Sequence, residues 1–202
     1  MVFLMTLKEL YYQLDEVENV GFSDKGDRHP SHNHFYIDIY DKLFNPLQAD
    51  PINLLEIGIS TGASLDLWSK FFTNGTITGI DKNKPLPFDY LNSLPNVNMM
   101  FGMAYDVDNV NYMMAQLPPQ DIIIDDGSHL IDDQIQVLFL YHQMVKPGGY
   151  FIIEDIHIPY LTRLLTEGVH RINRLFTTTV YDYHRRPRGL ADDVMVVLQF
   201  MN

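Results

Sequence analysis

The sequence predicts an α/β fold: a doubly wound, mostly parallel seven-stranded sheet with a C-terminal antiparallel hairpin, preceded by N-terminal helices. Three observations predict it. From Asn53 onward, short apolar runs end in small or acidic residues and alternate with helical stretches, which is the arithmetic of βαβ units. The first of these runs passes straight into a glycine-bearing loop with a helix behind it. Near the C-terminus two β-rich runs are joined by an Arg/Pro/Gly turn, and a hairpin makes that last pair antiparallel.

Each element has its own signal. Thr6-Leu7-Lys8-Glu9 is a capping-box pattern, and Leu7, Leu10, Tyr11, Leu14 and Val17 follow at helical spacing, so a helix is expected to about Asn19, with Gly21 past its end. Tyr36, Ile39, Tyr40, Leu43 and Phe44 mark a second helix that Pro46 would stop. The expected strands are Asn53 to Ile59, Thr76 to Asp81, Val97 to Gly102, Asp121 to Asp126 and Tyr150 to Asp155. Between them fall helices at Ser64 to Phe72, near Asp89, at Val107 to Gln116, and at Ile131 to Val145, the last terminated by Lys146-Pro147-Gly148-Gly149. A helix near Leu161 to Arg174 precedes the hairpin strands Thr177 to Tyr183 and Asp193 to Phe200.

Length and composition bound the function. A chain of 202 residues suits one α/β domain, and 46% hydrophobic with 20% charged residues is globular. The net charge of −12 repels polyanions, which makes nucleic acid a poor partner. The nearest basic patch, His184-Arg185-Arg186-Pro187-Arg188 with Arg171 and Arg174 upstream, reads as a solvated hairpin loop. With no cysteine, disulfides and thiolate metal sites are excluded. No run reaches membrane-spanning length and the N-terminus lacks a basic leader, so a cytoplasmic protein without a membrane partner is the expectation.

In an open parallel sheet, ligands bind outside the carboxyl ends of the strands. The first strand ends in Leu55-Glu56-Ile57-Gly58-Ile59-Ser60-Thr61-Gly62, where Gly58 allows a tight turn and Gly62 lets the loop pass onto a helix. The Gly-x-Gly-x-x-Gly spacing of a dinucleotide site is absent, which demotes an NAD enzyme. Asp81, ending the second strand, stands where a ribose diol can donate to it; by itself it would read as a turn cap. The fourth strand ends in Asp125-Asp126-Gly127-Ser128-His129 and the fifth in Glu154-Asp155-Ile156-His157. If these strands are neighbours, about 4.8 Å apart, their carboxylates converge and need a cation or protons. Oxygen ligands of this kind suit Mg²⁺, although Asp125 also reads as a helix cap. His129, three residues past Asp126, is placed to take a proton from a hydroxyl bound there, while His142 and His170 read as surface or packing residues.

Together these residues resemble class I S-adenosylmethionine-dependent methyltransferases, over roughly Leu54 to Asp155, and the hairpin fits that family's seventh strand. The resemblance implies one Rossmann-like domain over 1–202, with a helical lid segment at 1–50 and the core at 51–202. It implies that Glu56, Gly58, Ser60 and Gly62 surround the methionine part of the cofactor, that Asp81 holds its ribose, that Met103 lies at its adenine with only backbone and packing to offer, and that Asp125 also belongs to the cofactor site. More narrowly, DDGSH and IIED are similar to the metal-dependent macrocin and mycinamicin O-methyltransferases and the cephalosporin-hydroxylase-like group. That similarity implies Mg²⁺ on Asp126, Glu154 and Asp155, with His129 as base. Asp24-Lys25-Gly26 with His34, Tyr36 and Tyr40 resembles a segment those proteins place over the site. The implied reaction is methyl transfer to a hydroxyl of a small molecule, a sugar or vicinal diol by resemblance only. Two other readings stay open: an oxidoreductase accessory protein that keeps the cofactor site, and a non-catalytic binding module whose acids form a structural ion site. The acceptor and the oligomeric state are not fixed by the sequence.

Overall fold

The structure is a computed structural model that describes residues 5–14, 20–28, 34–185 and 191–201. Its strands are β1 (Asn53–Ile57), β2 (Thr76–Asp81), β3 (Val97–Phe101), β4 (Gln120–Asp125), β5 (Val145–Ile153), β6 (Phe176–Asp182) and β7 (Val194–Phe200), in one sheet of order β3-β2-β1-β4-β5-β7-β6. The first five are parallel, and β7 runs antiparallel to both neighbours. The doubly wound sheet and terminal hairpin are therefore as expected. Strand order reverses between β1 and β4, and that switch point is where a ligand crevice opens.

Alternation along the buried strands distributes side chains to two cores. Leu54, Ile122, Ile124 and Ile152 face one side, against α1 (Leu7–Gln13), α2 (Ile37–Phe44) and α3 (Ala63–Phe71), through Leu7, Tyr40, Phe44 and Trp68. Leu55, Ile57, Ile123, Phe151 and Ile153 face the other, toward α5 (Val107–Met114) and α6 (Ile131–Tyr141); the short α4 (Phe88–Ser93) lies on the first side with Leu91. The segment before Asn53 is thus part of the first core.

Four elements depart most from the sequence expectation. The capping box forms as predicted, Thr6 with Glu9, but α1 ends at Gln13 because Leu14 takes an extended backbone; residues 15–19, where the helix was expected to continue, lie outside the described residues. Helix α6 ends at Tyr141, and a 3-10 turn leads into β5 at Val145. The Lys146-Pro147-Gly148-Gly149 run is absorbed as an irregularity inside β5, whose pairing jumps from Gln120–Val145 to Ile122–Tyr150. The helix near Leu161 to Arg174 is instead a chain of short 3-10, α and π turns over 158–171. Arg174 does not join a basic patch: it donates to the carbonyls of His142 and Val145 and stacks on Phe200, whereas residues 186–188 lie outside the described residues. Among the described residues, no helix is long and apolar enough to cross a membrane.

Candidate functional site

Register fixes the site. Ile57 pairs with Asp125 on β4, and Asp125 with Ile153 on β5, so the three strands end level. The ladder continues one step further, with the Asp126 amide donating to Ile57 and the Glu154 amide to Asp125. Side-chain alternation then sorts the acids: Glu56, Asp126 and Glu154 continue the Leu54, Ile124 and Ile152 series toward the N-terminal helices, while Asp125 continues the Ile123 series to the other side.

On the Asp125 side lies a cleft of about 520 Å³, partly open to solvent and lined by Gly58, Asp81, Met103, Tyr105, Asp125 and Asp133 among others. Asp81 holds the glycine loop: one oxygen accepts from the amides of Ile59 and Ser60 at 2.9 and 3.2 Å, the other from Asn83 at 2.8 Å. Gly58 has φ +98°, and a Cβ there would stand 2.0 Å from the Asp126 carbonyl oxygen. Only glycine lets the loop pass so close to the end of β4. Gly62 and Ser60 also have positive φ; Ser60 is one of four non-glycine residues so placed among those described, with Phe35, His129 and Asp155. Such backbone strain clusters where surrounding contacts over-determine it, commonly at functional sites.

Asp125 is buried, one carboxylate oxygen receives the Gly127 amide at 3.3 Å, and the other has no hydrogen-bond partner among the described residues. Burial raises its pKa to about 7. Because this folded value lies above the unfolded one, 3.8, ionising Asp125 costs stability that is absent at pH 4 and grows up to pH 7. Asp125→Asn is therefore expected to stabilise the protein at pH 8 by up to about 4 kcal/mol and to give no gain near pH 4. Urea unfolding at the two pH values checks this, and an equal gain at both would refute it.

A second cleft, of about 370 Å³, lies across Gly58 and is lined by Ser23, Asp24, Ser60, Ser64 and Asp126. Beside it the acids of the other face meet. Asp126, His129 and Asp155 each place one ligand atom within 4.8 Å of the others. His129 Nε2 donates to Asp126 Oδ1 at 3.2 Å and is 3.7 Å from Asp155 Oδ2. Burial opposes the imidazolium, but the Asp126 hydrogen bond and the charges of Asp155 and Asp126 outweigh it and raise the His129 pKa to about 9. Asp155 is buried, receives the Tyr36 hydroxyl at 3.0 Å and lies 3.3 Å from His34 Nδ1, which donates to the buried Asp193 at 2.8 Å.

Lys25 enters this cluster from the N-terminal segment. It is fully buried, donates to Glu154 Oε2 at 2.7 Å and to Asp126 Oδ2, and lies within 4 Å of Asp24 and Glu56. Tyr40 donates to the other Glu154 oxygen, and Gln134 to the Glu154 carbonyl at 3.0 Å. Burial would strip the Lys25 proton, yet the surrounding carboxylates hold its pKa well above the usual lysine value. Burial likewise raises Glu154, Glu56 and Asp155, whereas for Asp126 the Lys25 and His129 charges overcome burial and lower it.

The structure thus brings together Asp126, His129, Asp155, Glu154, Lys25, His34, Tyr36 and Tyr40, and separately Gly58, Asp81, Met103 and Asp125. Glu56 stands apart. Its side chain lines neither cleft; one oxygen receives the Trp68 indole N–H at 3.1 Å and the other has no hydrogen-bond partner among the described residues. Sequence reasoning missed Lys82, Tyr105, Ser128 and Asp133 in the first cleft and Asp193 behind His34. Asp133 gave only the signal of an acid in a first helical turn, and Asp193 only that of the residue opening the last hairpin strand.

No family model matches the chain. Among curated proteins it is 31% identical, over 137 residues, to demethylmacrocin O-methyltransferase of Streptomyces fradiae and 30% identical, also over 137, to mycinamicin VI 2''-O-methyltransferase of Micromonospora griseorubida. Each alignment covers 63% of this chain and 33% of the relative, so the match spans about a third of those proteins' length. Among solved structures it resembles the mycinamycin-pathway methyltransferase MycE in complex with Mg, SAH and Mycinamycin VI, with TM-score 0.69 and 20% identity over 98% of this chain and 53% of that one. The fold also matches Aeropyrum pernix fibrillarin with natively bound S-adenosyl-L-methionine, at TM-score 0.59 and 13% identity over 74% and 67% of the two chains. In sequence the chain is similar to about a third of the macrocin- and mycinamicin-type O-methyltransferases, and its fold is the Rossmann-like methyltransferase fold.

Proposed function

We propose that this chain is a Mg²⁺-dependent O-methyltransferase that moves the methyl group of S-adenosylmethionine to a hydroxyl of a small molecule, a sugar or another vicinal diol. The observation that carries the reading is two clefts sharing Gly58, one with an unpartnered buried carboxylate oxygen on Asp125, the other beside the Asp126–His129–Asp155 cluster. The first would take the adenosyl group, with Asp81 Oδ1 able to accept a further hydrogen bond from a ribose hydroxyl and Met103 able to pack at the adenine end. The reactive sulfonium would then lie near Gly58, facing the acids. Similarity to O-methyltransferases of rhamnosyl and olivosyl compounds supports the acceptor class, and the acidic charge of the chain argues against a polyanionic acceptor.

The cluster fits a hard divalent ion in its donor chemistry, since Asp126 and Asp155 offer carboxylate oxygens, with Glu154 beside them and water or acceptor oxygens to complete the shell. Such an ion, when bound, would lower the pKa of the acceptor hydroxyl and stabilise its oxyanion. The chain's own residues supply the rest. His129 Nε2, on the open side of the cluster with its side chain 35% exposed, takes the hydroxyl proton as the oxygen attacks the methyl carbon. Tyr36 and His34 hold Asp155, and Tyr40 and Lys25 hold Glu154, so the donors need little rearrangement.

Thermal-shift or calorimetric titration with S-adenosylmethionine, with and without Mg²⁺, followed by mass-spectrometric detection of S-adenosylhomocysteine in the presence of a glycoside acceptor, tests the reading. A saturating shift with product formation is expected; no binding of S-adenosylmethionine would end it. Asp126→Ala is expected to lose metal dependence and nearly all turnover. Full wild-type activity in EDTA would remove the metal while leaving methyl transfer standing.

A further inference from the structure

A fully buried lysine with its ammonium set among carboxylates is uncommon, because an ion of that size loses several kcal/mol of hydration on burial unless its partners restore it. Lys25 comes from a turn held by the N-terminal helices: the Ile37 amide donates to its carbonyl at 2.6 Å and the Ser23 hydroxyl accepts its amide at 3.3 Å. The ammonium bridges the ends of β4 and β5, touching Asp126 Oδ2 and Glu154 Oε2, while Asp126 Oδ1, His129 Nε2 and Asp155 Oδ2 gather on the other side. The cluster therefore has two halves, one closed by lysine and one open.

We infer that Lys25 is a positioning residue, a built-in counter-ion that holds Asp126 and Glu154 in place before any divalent cation arrives and weakens the hold of the cluster on that cation. The inference rests on the proposed metal reading for its second half only. Without Lys25, the acids of three strand ends would face one another with no other lysine or arginine paired to them among the described residues. The metal-free fold would then be strained at the sheet's carboxyl edge, and a divalent ion would relieve it. With Lys25 present, the ion meets one fixed positive charge close by, which lowers its affinity by Coulomb repulsion. The site would thereby exist in organised form while the ion exchanges.

Lys25→Met keeps most of the side-chain volume and removes the charge. In EDTA its melting temperature is expected to fall by on the order of 10 °C, and the rise produced by Mg²⁺ to be larger than in the wild type. Calorimetry should show Mg²⁺ binding roughly tenfold tighter or more, a change that loss of packing alone would not produce. The double variant Lys25→Met with Glu154→Gln, which deletes one charge of each sign, is expected to regain much of the metal-free stability, and it keeps the idea testable should the single variant fail to fold. Equal Mg²⁺ affinity in wild type and Lys25→Met would overturn the effect on the cation, and a double variant no more stable than the single one would overturn the counter-ion role. If the wild type binds no Mg²⁺ while the double variant recovers stability, the metal reading falls and the counter-ion role stands.

Discussion

His129→Asn is expected to lower kcat by roughly 10²- to 10⁴-fold, the range for loss of a positioned general base, with a smaller change in KM. Asparagine is the appropriate replacement because residue 129 has φ +58°, a left-handed backbone that asparagine tolerates better than most residues. The amide can still donate to Asp126 but cannot take a proton. In the metal-free protein, His129 should titrate by NMR near pH 9, since Asp126 and Asp155 favour its charged form. The sign for catalysis is opposite to that for charge: the base must be neutral, so activity rises with pH through this titration. A cation on the same two carboxylates removes the charges that raise the pKa and should move the rising limb to lower pH. Stability carries the reverse sign, because the imidazolium's ion pairs are fully present below the unfolded value of 6.5 and are lost as pH rises through about 9. A variant that turns over within threefold of wild type would sink the assignment.

Gly58→Ala has the second large expected effect, and it acts through backbone. The new Cβ would lie 2.0 Å from the Asp126 carbonyl oxygen and 2.7 Å from its carbon, at a φ that L residues seldom adopt. Neither atom is the end of a flexible side chain, so β1 and β4 must part. A destabilisation of about 3–5 kcal/mol follows from strain and overpacking together, or a fall in melting temperature of roughly 10 °C or more. S-adenosylmethionine binding should be lost with it, since Gly58 lines both clefts. Gly102→Ala is the control: it lines the same first cleft, yet a Cβ there would come no closer than 3.5 Å to Asn109. That variant should stay within about 1 kcal/mol of wild type. Comparable melting temperatures for the two variants would show that the close approach at Gly58 does not matter.

Much of the architecture was readable because buried parallel strands and amphipathic helices write different periods into the chain. The apolar runs from Asn53 to Asp155 could only be short strands, and the terminal acids DD and ED marked which ends to examine. The element ends that were misread have local causes. Lys146-Pro147-Gly148-Gly149 looks like a helix stop, yet a parallel strand absorbs it by slipping register against β4. Leu161 to Arg174 has apolar residues to pack, but packs them through turns of mixed pitch, a choice made by the surface it covers and not by propensity.

The sequence by itself determined that acids and a histidine would collect at neighbouring strand ends beside a glycine loop, because chain order and strand alternation are local properties. Strand parity accounts for Glu56, Asp126 and Glu154, which follow Leu54, Ile124 and Ile152, and for Asp125, which has the opposite parity and so does not converge with them as expected; Asp155, with φ +52°, leaves the alternation and joins the first set. Tertiary structure alone decided what meets them there. Lys25 lies 129 residues from Glu154, and His34 lies 159 from Asp193. No spacing rule spans such distances; only the docking of the N-terminal helices onto the first core brings a buried ammonium to carboxylates that would otherwise repel one another.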